Sequence, residues 1–180
     1  MIWQAVLAAG LVLTALVILY NLRYQAIARE RHPPEGEFLE VEGARVHYVR
    51  QGQGPTVVLL HGLNGFMQDF LGDVMDGLEG EFEVVALDRP GYGHSERPQI
   101  ELSDPRVQAL WLDRVLDALG IEHPILVGHS WGGALAMTFA QAHPGRVRAL
   151  VLLAPYVYPG TEPDDWFHKL PRMRGMRNAI

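Results

Sequence analysis

No cysteine occurs among the 180 residues, which excludes a disulfide framework, a thiolate nucleophile and any Cys-ligated zinc or iron–sulfur centre. Basic residues are also scarce: 15 Lys and Arg stand against 21 Asp and Glu, for a formal charge of −6. The charge is unevenly placed. Residues 1–36 carry +1 and residues 166–180 carry +4, which leaves −11 for the body between them. An acidic body argues against nucleic acid as a partner, because phosphate binding needs a basic face. No P-loop Gly-Lys-Ser/Thr is present. The segment Gly91-Tyr-Gly-His-Ser-Glu96 lacks the third glycine of a dinucleotide fingerprint. The eight histidines do not fall at zinc-ligand spacings, so neither metal nor cofactor is implied.

Charge is absent altogether from Ile2 to Leu22. At 1.5 Å per residue these positions span about 30 Å, the thickness of a hydrocarbon core. Trp3 and Tyr20 lie near the two ends, with Tyr24 just beyond, where amphipathic rings favour the interface. The stretch lacks a basic leader and a small-x-small cleavage site, so a retained anchor over 1–24 is favoured over a cleaved signal peptide. Arg23, Arg29 and Arg31 follow it, which by the positive-inside rule places the soluble part in the cytoplasm. Residues 25–36, with Pro33-Pro34, read as a helical extension and then a stiff linker.

Beyond Gly36 the pattern alternates. Phe38–Val49 reads as two strands around Glu42-Gly43, and Thr56–Leu60, Phe82–Leu87, Ile125–Val127 and Val147–Leu153 as further strands. Helices are expected over Met67–Leu78, over Val107–Leu119 with Ser103 as a cap, and over Trp131–Ala142. Such alternation predicts right-handed βαβ units and an α/β sheet. Its core occupies 37–156, and 157–180 is a separate Pro/Gly/acid-rich and then basic segment.

One junction carries chemistry. Gly128-x-Ser130-x-Gly132 falls between an expected strand and an expected helix. A sharp turn there lifts the serine hydroxyl above the sheet, and the flanking glycines remove side chains that would collide. Together with Val57-Val-Leu-Leu-His-Gly-Leu-Asn-Gly65 and Leu87-Asp-Arg-Pro-Gly-Tyr-Gly-His-Ser-Glu-Arg-Pro98, it resembles the α/β-hydrolase superfamily in its serine branch. The resemblance implies Ser130 as nucleophile. It also implies that the backbone N–H groups of Leu63 (or Asn64 beside it) and Trp131 form an oxyanion hole. A small acyl compound would be the substrate: an ester, thioester, amide or activated C–C bond, cleaved through an acyl-enzyme. Relatives that act on epoxides or carbon–halogen bonds use Asp at the elbow. The family's chain order also implies an acid and a histidine after Ser130. Glu162, Asp164, Asp165, His143 and His168 are the residues available, and none is well placed. His61, His129 and Asp88 are read as loop-organising. Two further strands are expected beyond Leu153, and 157–180 is expected to begin a cap. The sequence is therefore read as the N-terminal part of a hydrolase whose acid and base lie past residue 180. A tethered non-catalytic module and a cofactor-free haloperoxidase are the rival readings.

Overall fold

The computed structural model describes residues 2–98 and 102–156. The chain divides at Glu37 into two compact units. The first holds one continuous helix, α1 (Ile2–Arg31). No residue in its most apolar window is buried by the rest of the molecule. No proline interrupts the stretch before Pro33, so the helix runs past the expected anchor and ends one residue before His32. Tyr20 and Tyr24, one turn apart, stack at 6.3 Å.

The second unit is built on a six-stranded mixed sheet in the order β1-β2-β4-β3-β5-β6. The strands are β1 (Glu37–Val41), β2 (Ala44–Gln51), β3 (Thr56–Leu60), β4 (Glu83–Leu87), β5 (Ile125–His129) and β6 (Ala149–Leu153). The turn between β1 and β2 is Glu42-Gly43, both at positive φ. β2 runs antiparallel to β4, and β3 is parallel to both β4 and β5, as β5 is to β6. β3 is central, and Val57–Leu60 are all buried, as a strand covered on both faces requires.

Alternation along the strands feeds two cores. Val58, Leu60, Val85, Leu87 and Leu126 pack with Leu112, Val115 and Leu116 of α3 (Pro105–Ala118) and with Leu135 and Phe139 of α4 (Trp131–Ala142). Val57, Leu59, Val84 and Ala86 face Met67, Phe70 and Met75 on the other side. Each fully buried aliphatic side chain contributes about 1.5–3 kcal/mol relative to exposure.

Three expectations need correction. The helix expected over Met67–Leu78 is a single 3₁₀ turn, Met67–Asp69, followed by a short α2, Asp73–Leu78. Gly72 separates them at φ 73°, a conformation no α-helix contains. The cap of α3 is Asp104, not Ser103: its carboxylate accepts from the Arg106 N–H, and Pro105 takes the first helical position. β6 begins at Ala149 rather than Val147, which packs against the larger core instead. β6 also pairs only with β5 among the described residues, and its Leu150, Val151 and Leu153 are 37%, 43% and 46% exposed. An apolar strand with one open edge is a pairing surface.

Candidate active site

Ser130 is the residue between β5 and α4, with φ 50° and ψ −114°. Few non-glycine residues adopt positive φ, and such strain persists only where the surroundings over-determine it. Here they do. The Ser130 N–H donates to the Leu153 carbonyl at 2.9 Å, and its own carbonyl accepts from Gly133, Ala134 and Tyr156. The glycines of the motif are required by contact. A Cβ on Gly132 would strike the Leu60 carbonyl oxygen and come within 2.6 Å of the His61 oxygen. A Cβ on Gly128 would strike Gly132 backbone. The elbow is therefore pressed directly onto the end of β3.

The loop leaving β3 lies against the serine. A Cβ on Gly62 would be 3.3 Å from the Ser130 Cβ and 3.0 Å from Nδ1 of His129. Leu63 follows at once, and Asn64 turns the loop at φ 60°. Trp131 opens α4, where the helix exposes its first N–H groups. Neither the Leu63 nor the Trp131 N–H has an acceptor among the described residues. The structure thus places Gly62, the residue before Leu63, against Ser130, with Trp131 next in the chain. Backbone donors without an acceptor among the described residues, next to a serine whose backbone is strained, can receive an oxygen that gains negative charge.

The loop-organising residues hold this arrangement. His61 is fully buried; its Nδ1–H donates to the Gly62 carbonyl at 2.9 Å, and its Nε2 accepts the Arg89 N–H at 3.0 Å. Burial first, and the Arg89 charge second, lower its pKa from 6.5 to about 4, so the ring is neutral at neutral pH. Asp88 is also fully buried. One carboxylate oxygen accepts the Met67 N–H, and the other meets His47 Nδ1 at 2.7 Å and accepts the His94 N–H. It fastens β2, the 3₁₀ turn and the loop after β4 to one point.

Arg89, to which the motif assigns no role, is central to this corner. It is completely buried, and its side chain donates to the His61 carbonyl (3.0 Å), the Gly62 carbonyl (2.8 Å) and Oε1 of Gln108 (3.3 Å). Its guanidinium carbon lies 4.4 Å from the Tyr92 ring centre and 4.5 Å from that of Trp131. Burial lowers its pKa to about 10, which leaves it charged at neutral pH. The available signal is its position two residues after the end of β4 at Leu87, where a buried cation needs carbonyl partners.

No histidine among the described residues is hydrogen-bonded to the Ser130 hydroxyl. His143 caps the far end of α4, about 18 Å along the axis at 1.5 Å per residue, stacked on Phe139 and 3.6 Å from Asp113. Glu162, Asp164, Asp165, His168 and the expected cap start lie outside the described residues.

The family model described as "alpha/beta hydrolase fold" matches residues 55–179. A dihydrolipoyllysine-residue acetyltransferase component of an acetoin cleaving system from Cupriavidus necator is 38% identical over 120 residues, 66% of this chain and 32% of its own length. Bifunctional epoxide hydrolase 2 of Sus scrofa is 35% identical over 120 residues, 66% of this chain and 21% of its own. The chain thus spans a third or less of these relatives. Among solved structures, one titled as a membrane phospholipase A, a bacterial virulence factor, is 27% identical with a TM-score of 0.66. It covers 96% of this chain and 58% of its own. A 30-residue helix cannot fall within the remaining 4%, so that match extends into α1.

Proposed function

Because the chain belongs to the α/β-hydrolase family, we propose that the protein of which it is part is a membrane-tethered serine hydrolase acting through Ser130. The carrying observation is the pair of N–H groups, of Leu63 and Trp131, that have no acceptor among the described residues, next to a serine held in a strained turn. In this reading the Ser130 hydroxyl attacks the carbonyl of an acyl substrate and gives its proton to a histidine outside the described residues. The carbonyl oxygen becomes an oxyanion held by the two N–H groups, each worth about 3–4 kcal/mol in the transition state. The leaving group departs with that proton. Water then attacks the acyl-enzyme, and the acid is released. The related epoxide hydrolases fit the same fold, but a serine at the elbow suits acyl transfer instead.

α1 is the proposed tether, with the arginines beyond Leu22 orienting the body to the cytoplasmic side. The match to a membrane phospholipase A, running through α1, favours a lipid ester over the thioester, amide or C–C alternatives. The test uses the full-length protein in membranes. A fluorophosphonate should label wild type and not Ser130→Ala, and the labelled protein should resist alkaline carbonate extraction. Hydrolysis of a phospholipid in vesicles should disappear with the same substitution. Absence of labelling in folded wild type refutes the proposal and supports a non-catalytic tethered module. Labelling of carbonate-soluble protein refutes the tether alone.

A further inference from the structure

Arg89 makes no hydrogen bond to Ser130 among the described residues, yet it meets the Gly62 carbonyl on one side of the proposed oxyanion hole and the Trp131 ring on the other. We infer that Arg89 is a positioning residue, which sets the two oxyanion donors against each other; the inference rests on Ser130 being an acyl-transfer nucleophile.

On the loop side, the Gly62 carbonyl accepts from Nη2 of Arg89 at 2.8 Å, from Nδ1 of His61 at 2.9 Å and, at a longer 3.3 Å, from the Gly65 N–H. A carbonyl oxygen has two lone pairs, so the two short side-chain bonds dominate and the Gly65 contact is secondary. The Gly62–Leu63 peptide is trans and planar. Its carbonyl and the Leu63 N–H therefore point in opposite directions. Holding the carbonyl toward the guanidinium turns the Leu63 N–H away from it, in a loop whose Gly62 sits against Ser130. The preceding carbonyl, of His61, is held by Nε of the same side chain at 3.0 Å. Two successive carbonyls fixed by one rigid fork define the plane of the peptide that supplies the first donor.

On the elbow side, the guanidinium lies against the indole of Trp131, the residue that supplies the second donor. Tyr92 adds a second ring at similar distance, and Gln108, itself tied to the Leu102 carbonyl at 2.6 Å, takes Nη1. No lysine can reproduce this set. Lysine has one ammonium in place of a planar fork, and it stacks less well on aromatic rings.

The experiment compares full-length wild type, Arg89→Lys and Arg89→Met. It reads kcat and KM on a short p-nitrophenyl ester, the rate of fluorophosphonate labelling, and the melting temperature. A donor displaced by about 1 Å costs on the order of 100-fold in rate. Arg89→Met should accordingly lose roughly 10- to 100-fold in kcat and in labelling rate, with KM within about two-fold. Arg89→Lys should recover part of the kcat through its retained charge. A purely structural role would lower the melting temperature and the amount of active protein while leaving kcat per labelled site unchanged. A folded Arg89→Met with wild-type kcat per labelled site overturns the inference. Should the methionine variant not fold, the lysine variant decides in the same way: reduced kcat at constant KM supports the inference, and wild-type kcat overturns it. Wild type that is itself unlabelled at Ser130 overturns both this inference and the proposed function.

Discussion

Replacing Ser130 by glycine and by alanine separates the hydroxyl from the backbone on which it rides. Both variants lose the oxygen. Only glycine loses the Cβ that makes φ 50°, ψ −114° unfavourable. A residue forced into such a region stores about 1–3 kcal/mol. Glycine returns about 0.4–1 kcal/mol of that through the greater freedom of its unfolded chain. The backbone bonds that hold the turn, from Ser130 N–H to Leu153 and from Gly133, Ala134 and Tyr156 to the Ser130 carbonyl, are common to both variants. Ser130→Gly should therefore exceed Ser130→Ala in stability by about 1 kcal/mol, which is about 2–4 °C in melting temperature for a domain of 150–250 residues. Urea unfolding of the two variants in the full-length protein, with midpoints compared at equal slope, gives the difference without relying on heat reversibility. Equal midpoints, or a glycine variant weaker than the alanine one, would show that the turn is not strained. Ser130 would then carry no stability cost for the proposed function.

Two further consequences concern the same corner. Gly132→Ala places a methyl group onto the Leu60 and His61 carbonyls, which are backbone and cannot rotate away, so it should destabilise by about 2–3 kcal/mol. Gly72→Ala, at φ 73° with nothing within 4 Å, should lose only about 1 kcal/mol through its backbone conformation; urea midpoints that fail to separate the two refute the contact argument. For His61, the folded pKa of about 4 lies below the unfolded value near 6.5, so between these pH values the unfolded chain binds the extra proton. Stability should then be constant above pH 6.5 and fall toward pH 4 by up to about 3 kcal/mol. His61→Gln should flatten that slope, and a wild-type curve that is level from pH 7 to 4.5 would contradict it.

What could be read from the sequence follows the range of the interactions involved. The elbow was legible because its requirements are local: Gly128 and Gly132 are needed within two residues of Ser130, and the apolar run Ile125–Val127 and the helical pattern after Trp131 flank it. The buried strands were legible for the same reason, since Thr56–Leu60 and Glu83–Leu87 carry their burial in their own composition. The helix expected across Gly72 failed because apolar spacing was weighed above a glycine whose positive φ ends one turn and starts another. Arg89 was illegible on different grounds. Its partners are backbone carbonyls 27 and 28 residues away, and its stacking partner Trp131 lies on another βα unit. A backbone carbonyl has no residue type, so no motif could announce it. The same limit applies to the histidine base that the proposed mechanism requires. A histidine that serves Ser130 need satisfy only a distance in space, whereas His143, which satisfies the chain order, is carried by α4 to the wrong end of the helix. Sequence order selects His143 as a candidate in this fold, and the direction of the helix that follows Ser130 carries it away.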